Sequence, residues 1–222
     1  MRLRILSAGA AQGVVTRLAA AHGVELEAQF GAVGAMQEKF DAGTACDLIV
    51  LTLPQIAALQ GAGRVMAAAD LGRVRTGVAV RARDPVPDID TPQALRAALL
   101  AAQEICHPDA VRSTAGIHFA KVLAALGIAD SVAARLRPFP NGASAMRALA
   151  ASGAARAIGC TQITEIRNTP GVALVAPLPG EFELATTYSA GLCSADEAVR
   201  SFFALLTGDA SRTPRAAAGF EF

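Results

Sequence analysis

The chain contains no tryptophan and a single tyrosine, Tyr188, among its 222 residues. Proteins that bind single-stranded nucleic acid stack the bases on aromatic side chains, and this sequence lacks such platforms. Twenty Lys and Arg residues stand against nineteen Asp and Glu residues, which gives a formal charge of +1. The basic residues are scattered singly along the chain, so we expect no nucleic-acid partner.

Long apolar runs are also missing. Although 53% of the residues are hydrophobic, no uninterrupted run of about 18 apolar residues occurs, so we expect no membrane insertion. The amino terminus enters a strand pattern at Leu3–Ser7 without the charged, apolar and cleavage segments of a secretory signal. As written, the sequence predicts a cytoplasmic protein, or a periplasmic one if a signal has been removed.

The motifs of metal and cofactor chemistry are absent from the sequence. The four cysteines lie far apart without C-x-x-C spacing, which favours reduced thiols, and the three histidines form no metal-ligand pattern. No Walker loop, dinucleotide-binding turn or nucleophile elbow occurs. We therefore expect no metal and no cofactor, and we exclude nucleotide transfer, dinucleotide chemistry and ordinary serine hydrolysis.

Strand-like and helix-like segments alternate along the chain. Leu3–Ser7 and Glu25–Phe30 read as strands around a helix at Gln12–Ala21, and Asp47–Leu51 is apolar on both faces, as in a covered parallel sheet. The alternation restarts after the Pro-rich segment 84–87. These patterns predict an α/β protein with two doubly wound lobes.

The restart and a later return strand define the lobe boundaries. Lobe 1 is predicted to comprise residues 1–78 and 182–222, and lobe 2 residues 82–178. The last segment, Asp209–Phe222, shows no clear period and is predicted to be a loosely packed tail. We expect a monomer.

Ligands of open α/β sheets bind beyond the carboxyl ends of the strands, which directs attention to the loops there. In lobe 1 these loops are built from small residues that leave backbone N–H groups open to an anion, namely Ala8, Gly9, Ala10, Val33 and Gly34. The alternative is that small residues only permit tight turns and close packing.

In lobe 2 the corresponding loops carry polar side chains. Ser113 and Thr114 precede one predicted helix, and Asn141 with Gly142 precedes another, so each pair serves either a ligand or a helix cap. After the third strand, more polar groups follow than a turn or a single cap needs: Thr161, Gln162, Thr164 and Glu165. Thr161, Gln162 and Thr164 join the two preceding pairs as the predicted ligand contacts of lobe 2.

Three features resemble the molybdate-binding subfamily of ABC-transporter solute-binding proteins. They are the opening strand with its small-residue loop, the segment Phe40–Leu48, and Ala115–Ile117 followed by a helix that ends at Leu126-Gly127. The resemblance implies a type-2 periplasmic-binding-protein fold, with two crossing strands near 76–83 and 177–186 that form a hinge beside a central ligand cleft. It also implies a small anionic ligand and, if the protein is exported, an ABC transporter as partner.

The sequence departs from this subfamily at the residues that would hold the oxyanion. The hydroxyls and the tyrosine of the subfamily map approximately to Ala10, to Val33 or Gly34, and to Cys160, none of which carries the expected group. A carboxylate ligand is therefore expected in preference to molybdate.

A more distant resemblance to aconitate isomerase, of the same fold, implies an alternative function. The chain would then be a cytoplasmic isomerase of a small unsaturated di- or tricarboxylate, which needs one group to remove a proton and one to return it. Glu165 and His107 are the candidate catalytic residues in that case. Glu165 is alternatively a first-turn acid favoured by the helix dipole.

Overall fold

A computed structural model describes residues 2–222 and separates them into two units. The first unit extends to Val74 and resumes at Thr186, and the second spans Arg75–Ala185. The first unit begins with the elements β1 (Arg2–Ala8), α1 (Gln12–Ala21), β2 (Glu25–Gly31), α2 (Val33–Asp41), β3 (Leu48–Thr52), α3 (Leu53–Gly61) and the first part of β4 (Ala67–Arg81).

The rest of β4 belongs to the second unit. It is followed by α4 (Pro92–Ala101), β5 (Glu104–Pro108), α5 (Thr114–Ala125), α6 (Ala129–Val132), β6 (Leu136–Phe139), α7 (Gly142–Ala151), β7 (Ala157–Gln162), α8 (Ile163–Arg167) and β8 (Val172–Pro177). The chain then completes the first unit with β9 (Ala185–Leu192), α9 (Glu197–Thr207) and α10 (Arg212–Ala218).

The sheet of the first unit combines parallel and antiparallel pairs. Strand β1 pairs in parallel with β2 and β3, and β9 runs antiparallel to β3. All four residues from Leu48 to Leu51 are fully buried, as the continuous apolar run predicts. On one face Ile49 and Leu51 pack with Ile56 and Leu59 of α3.

The sheet of the second unit has a separate core on each face. Strand β5 is parallel to β6 and β7, and β4 is antiparallel to β7 and β8. The first core includes Val78, Ile105 and Cys160 together with Phe119 of α5. The second core is formed by the alternate strand residues with side chains of α7: Ala79, Cys106, Ala157, Met146 and Leu149. One face of this sheet therefore packs against α5 and the other against α7.

Two helices have the bounds that the sequence predicts. The sequence patterns predict helices at 12–21 and 92–101, and α1 and α4 have these bounds. The N-cap residue of α1, Ala11, makes no side-chain hydrogen bond. Thr91 caps α4 by accepting a hydrogen bond from the amide of Ala94 at 3.1 Å. For β4 the apolar run predicts a strand at Val74–Arg81, but the observed strand begins seven residues earlier, at Ala67. The run does not extend over this first part of the strand, which is only half-buried.

The helices are short. The longest in residues 2–222 is α5, with 12 residues. Across these residues no single helix is long and apolar enough to cross a membrane, although α5 and Ala129–Arg135 reach the required length and hydropathy as a pair bent by 116°.

The carboxyl-terminal segment is not the loosely packed tail that its sequence suggests. It contains α10, buries Phe220, and joins Glu221 to Arg73 through two backbone hydrogen bonds of 2.8 Å. The buried guanidinium of Arg215 donates to the carbonyls of Thr207 (3.0 Å) and Gly208 (2.7 Å), and to that of Leu71. The sequence of this segment has no apolar periodicity that would predict its packing. The segment is held in place instead by a buried arginine that donates hydrogen bonds to main-chain carbonyls.

We expect Arg215→Ala to lower the free energy of unfolding by about 2–4 kcal/mol, because the carbonyls of Leu71, Thr207 and Gly208 lose a buried charged donor. Arg212→Ala is the matched control. That side chain is exposed and stacks on Phe222 at 4.4 Å, so its loss should cost less than about 1 kcal/mol. Chemical denaturation of both variants measures the difference, and equal effects would show that the buried network is not the main support of this segment.

Candidate functional site

The predicted contacts of the second unit gather at one edge of its sheet. Strands β5, β6 and β7 are parallel, so their carboxyl ends lie at the same edge. Strand β4 runs the other way, and its pairing of Thr76 with Gln162 brings Thr76 to that edge as well. The ends of these strands, and the loops and first helical turns that follow them, carry the predicted residues Ser113, Thr114, Asn141, Gly142, Thr161, Gln162, Thr164 and Glu165.

The alternation of side chains divides this edge into two sides. Cys160 of β7 packs in the core with Phe119 of α5, whereas Ala157 packs with Met146 of α7. Continuing the alternation to the end of the strand places Thr161 on the α7 side and Gln162 on the α5 side. We refer to these as the α7 side and the α5 side of the edge.

On the α7 side, the start of the helix is occupied by a carboxylate of the chain itself. Glu165 accepts a hydrogen bond of 2.6 Å from the hydroxyl of Thr161, and the backbone amides of Gly142, Ala143 and Gln162 also donate to it. Asn141 caps the same helix through a 2.9 Å bond from the amide of Ser144. A buried side chain thus fills the position at a helix amino terminus that an external anion would otherwise take.

Gly142 is required by this arrangement. A Cβ atom at this position would lie 1.9 Å from Oε2 of Glu165 and 2.0 Å from Oγ1 of Thr161. The sequence alone presents Gly142 as a turn residue or a backbone donor to a ligand. The structure shows a close approach between the first residue of α7 and the Glu165 carboxylate.

The environment of Glu165 has two opposing effects on the pKa of its carboxyl group. Burial raises the pKa of the carboxyl above its ordinary value, whereas the hydrogen bonds from Thr161 and from the three backbone amides lower it. Burial has the larger effect, so the folded protein holds a proton on Glu165 more readily than the unfolded chain does.

The α5 side contains buried polar atoms of a different kind. Among the described residues, Oγ1 of Thr76 and Nε2 of His107 have no hydrogen-bond partner. Thr76 is 0% exposed and His107 is 6% exposed. Both are placed on this side by the cores beneath them, because Thr76 alternates with Val78, and His107 with Ile105.

The first turn of α5 lies close to the end of β5. A Cβ atom on Gly116 would stand 2.1 Å from the carbonyl oxygen of Asp109 and 2.4 Å from that of Pro108, so only glycine permits this approach. Asp109 accepts bonds from the amides of Val111 and Arg112, which fixes the intervening loop. Ser113 occupies the N-cap position, but within residues 2–222 its side chain makes no capping hydrogen bond.

His107 is held in a defined orientation and tautomer. Its Nδ1 lies 2.9 Å from the carbonyl oxygen of Pro108, which can only accept, so Nδ1 carries the proton. Its ring lies 5.8 Å from that of Phe119. Burial lowers the pKa of His107, against the opposing effects of the Pro108 carbonyl and of Asp109. The imidazole is therefore neutral near pH 7, with an unshared electron pair on Nε2.

Two further polar residues lie at the end of β7 and just beyond it. Gln162 and Thr164 are both buried, at 3% and 4% exposure. The hydroxyl of Thr164, in α8, finds no hydrogen-bond partner in the part of the chain that the structure describes. Buried polar groups are normally paired, so an unpaired hydroxyl beside a strand end is a candidate ligand contact.

The predicted residues of the first unit offer backbone groups and apolar surface. Ala8, Gly9 and Ala10 are buried at the end of β1, and Gly9–Ala11 forms a 3-10 turn ahead of α1. Val33 and Gly34 begin α2, whose N-cap residue Ala32 has no side-chain oxygen. These two loops contain no polar side chain to orient a ligand.

Sequence analysis did not select two threonines that the structure leaves unpaired. Thr76 and Thr186 have buried hydroxyls without a partner in residues 2–222. In the sequence, each threonine is only one residue of a segment predicted to be a crossing strand or a loop. The available signal for Thr76 was a polar residue directly before the apolar run Gly77–Val80.

The described residues contain no cluster of three or more His, Cys, Asp or Glu side chains arranged to hold a metal ion.

Residues 3–221 match the family of bacterial extracellular solute-binding proteins. Because the match covers nearly the whole sequence, the chain belongs to that family. The type-2 periplasmic-binding-protein fold predicted from the sequence is confirmed.

Individual proteins similar to this chain have low sequence identity to it. Aconitate isomerase from a Pseudomonas species is 27% identical over 222 residues, which is 95% of this chain and 82% of that protein. The periplasmic molybdate-binding protein of Azotobacter vinelandii superposes with a TM-score of 0.76 at 15% identity, covering 99% of each chain. PEB3 of Campylobacter jejuni, solved with L-phospholactate bound, gives 0.66 at 14% identity, again covering 99% of each chain.

Burial of Glu165 leads to a pH dependence of stability. Since its pKa is raised on folding, its contribution is fully present below the ordinary value of 4.5 and is lost as the pH rises through the folded-state pKa. We expect the free energy of unfolding of the parent to fall relative to that of Glu165→Gln as the pH rises above about 4.5. Denaturant titrations of both proteins across this range measure the difference. A parent that gains stability relative to the variant would mean that the hydrogen bonds outweigh burial.

Proposed function

We propose that the chain binds a small organic anion, a carboxylate in preference to a molybdate-type oxyanion, on the α5 side of the second unit's sheet edge. The observation that carries this proposal is the buried, unpaired hydroxyl of Thr76, which can donate to a carboxylate. The unpaired Nε2 of His107 carries an unshared pair, so it pairs with a donor group of the ligand such as a hydroxyl. Leaving a buried polar group unpaired costs about 1–3 kcal/mol, which a ligand that pairs with it recovers.

The start of α5 supplies the complementary charge. Backbone amides at a helix amino terminus carry partial positive charge and attract a carboxylate. Ser113 and Thr114 add hydroxyl donors beside them, and Gln162 adds an amide donor from the end of β7. A ligand with a planar carboxylate needs partners for that group and separate partners for its other polar groups. Side-chain donors that approach from several directions suit such a ligand.

The α7 side is less suited to an external anion. Glu165 already accepts from the first amides of α7, and an added anion would compete with it for the same donors. Thr161 is engaged by the same carboxylate. These contacts support a division of roles, in which the α7 side fixes the shape of the edge and the α5 side meets the ligand.

Molybdate recognition is disfavoured by the side chains present. Ala10 and Val33 or Gly34 supply no hydroxyl, and Cys160, at the approximate position of the subfamily tyrosine, is fully buried in the core with Phe119. Solved structures with this fold include a molybdate-binding protein and PEB3 with L-phospholactate bound. They support the idea that the fold accommodates inorganic oxyanions as well as ligands that carry a carboxylate. We also propose that, if the protein is exported, its partner is an ABC transporter, because the family is one of extracellular solute-binding proteins.

Calorimetric titration tests the ligand class. We expect micromolar or tighter binding of at least one di- or tricarboxylate, and molybdate binding at least tenfold weaker, because the oxyanion-holding hydroxyls are missing. Succinate, citrate and aconitate are suitable carboxylates, with sulfate as a further oxyanion. Tight molybdate binding with no response to any carboxylate would overturn the proposal.

Variants locate the site within the edge. Thr76→Val and Gln162→Ala should each weaken carboxylate binding by about one to two decades, since each loses a hydrogen bond to a charged ligand. Thr161→Val is the matched control, because its hydroxyl is bound to Glu165. It should reduce stability and leave affinity within about threefold of the parent. The reverse ranking would place the ligand on the α7 side.

A second candidate function is isomerisation of an unsaturated di- or tricarboxylate. Two observations favour it: the 27% identity to aconitate isomerase, and the neutral imidazole of His107 with an unshared pair on Nε2. In this reaction Nε2 would take a proton from an allylic carbon of the substrate and a proton would return to the other end of the three-carbon unit. Glu165 is less suited to this step, because its carboxylate is enclosed by Thr161 and the start of α7.

Deuterium exchange into aconitate, followed by NMR in heavy water, reports this chemistry without assuming the product. If His107 is the base, His107→Gln should slow exchange by about 100-fold or more and retain ligand affinity within about tenfold. Glu165→Gln separates the two candidates. Loss of exchange in that variant alone would identify Glu165 as the base, and no exchange in the parent would leave the protein as a binder.

A further inference from the structure

Two of the four cysteines are neighbours in the first unit. Cys46 lies just before β3 and Cys193 directly after β9, and these strands are antiparallel with Leu48 opposite Leu192. The amide of Cys193 donates to the carbonyl of Asp47 at 2.9 Å, which extends the pairing past the strand ends. The thiol of Cys46 donates to the carbonyl of Leu48 at 2.9 Å and that of Cys193 to the carbonyl of Gly191 at 3.8 Å. The two thiols lie close enough for each to shift the pKa of the other.

The surroundings of this pair suit reaction with a small oxidant. Both side chains are partly exposed, and both rest on the edge of the same apolar cluster, which includes Ile49 and Leu51. The neighbouring Cys193 thiol lowers the pKa of Cys46, with smaller help from the Leu6 amide and Arg4, although burial opposes the shift. The same contact and burial raise the pKa of Cys193. One thiol therefore ionises ahead of its neighbour, as a nucleophile beside a resolving thiol should.

The other two cysteines provide an internal contrast. Cys106 and Cys160 are fully buried in the second unit, one in the core beside α7 and the other in the core beside α5. Burial raises the pKa of Cys106 to about 12. Burial also raises the pKa of Cys160. Neither has the access or the thiolate character that oxidation needs.

We propose that Cys46 and Cys193 form an oxidisable pair, which closes to a disulfide that joins the segment before β3 to the segment after β9. With hydrogen peroxide as oxidant, the Cys46 thiolate attacks one oxygen and the O–O bond breaks, giving a sulfenic acid and, after protonation, water. The thiol of Cys193 then displaces the sulfenic oxygen as a second water. Two thiols and one peroxide yield one disulfide and two waters.

The disulfide should stabilise the first unit in an oxidising compartment. It would close a chain loop that contains the whole of the second unit, and a cross-link over a long loop removes much freedom from the unfolded chain. The reduced pair remains compatible with a reducing compartment. Oxidation would thus adjust the stability of the first unit at a place distant in sequence from the α5 side.

The test is oxidation of the full-length protein with hydrogen peroxide, followed by thiol counting and peptide mapping without reductant. We expect the four free thiols to fall to two, with a single linked peptide pair containing Cys46 and Cys193. We also expect the midpoint of thermal unfolding to rise by about 5–15 °C. Cys160→Ala should show the same two-thiol loss and the same rise relative to its own reduced form.

Cys46→Ser and Cys193→Ser supply the decisive comparison. Neither should gain stability on oxidation, and Cys193→Ser should stop at a sulfenic acid on Cys46 that a dimedone probe captures. Retention of all four thiols in the folded parent would overturn the proposal. So would over-oxidation of Cys46 without a cross-link, or a cross-link that involves Cys106 or Cys160.

Discussion

The carboxylate of Glu165 lies at the first turn of α7, where it accepts from the Thr161 hydroxyl and from the amides of Gly142 and Ala143. This contact joins the end of β7 to the start of α7 and leaves no room for a side chain on Gly142. A helix amino terminus that would otherwise attract an anion is satisfied from within the chain. We propose that the polar side chains of the sheet edge are thereby divided into those that support the fold and those that contact a ligand.

The division explains why neighbouring residues of one loop are assigned different roles. Thr161 and Gln162 are adjacent in sequence, yet alternation sends one to the buried carboxylate and the other to the side where Thr76 and His107 remain unpaired. The fold is that of a solute-binding family whose relatives include proteins named for molybdate binding and for aconitate isomerisation. A neutral histidine beside the proposed anion site is compatible with simple binding and with proton transfer, so the chemistry depends on the ligand's own structure.

Much of the fold could be predicted because local signals and the hydrophobic pattern agree. The strand before α1, the cap at Thr91 and the apolar run of β3 each follow from short-range rules. The rule that ligands bind beyond strand ends also selected most residues of the edge. The sequence could not show which side of the edge each residue faces, because the register of β7 against β4 decides that. It also missed Thr76 and the packing of α10, since both depend on partners distant in sequence.

The placement of the ligand on the α5 side is tested most directly by the backbone amide signals of isotopically labelled protein during titration with a bound carboxylate. We expect the amides of Thr114, Ala115 and Gly116 to show the largest chemical-shift changes, because they form the first turn of α5. Those of Gly142 and Ala143 should change little, since Glu165 already accepts from them. Large changes at the start of α7 with little change at α5 would contradict the assignment.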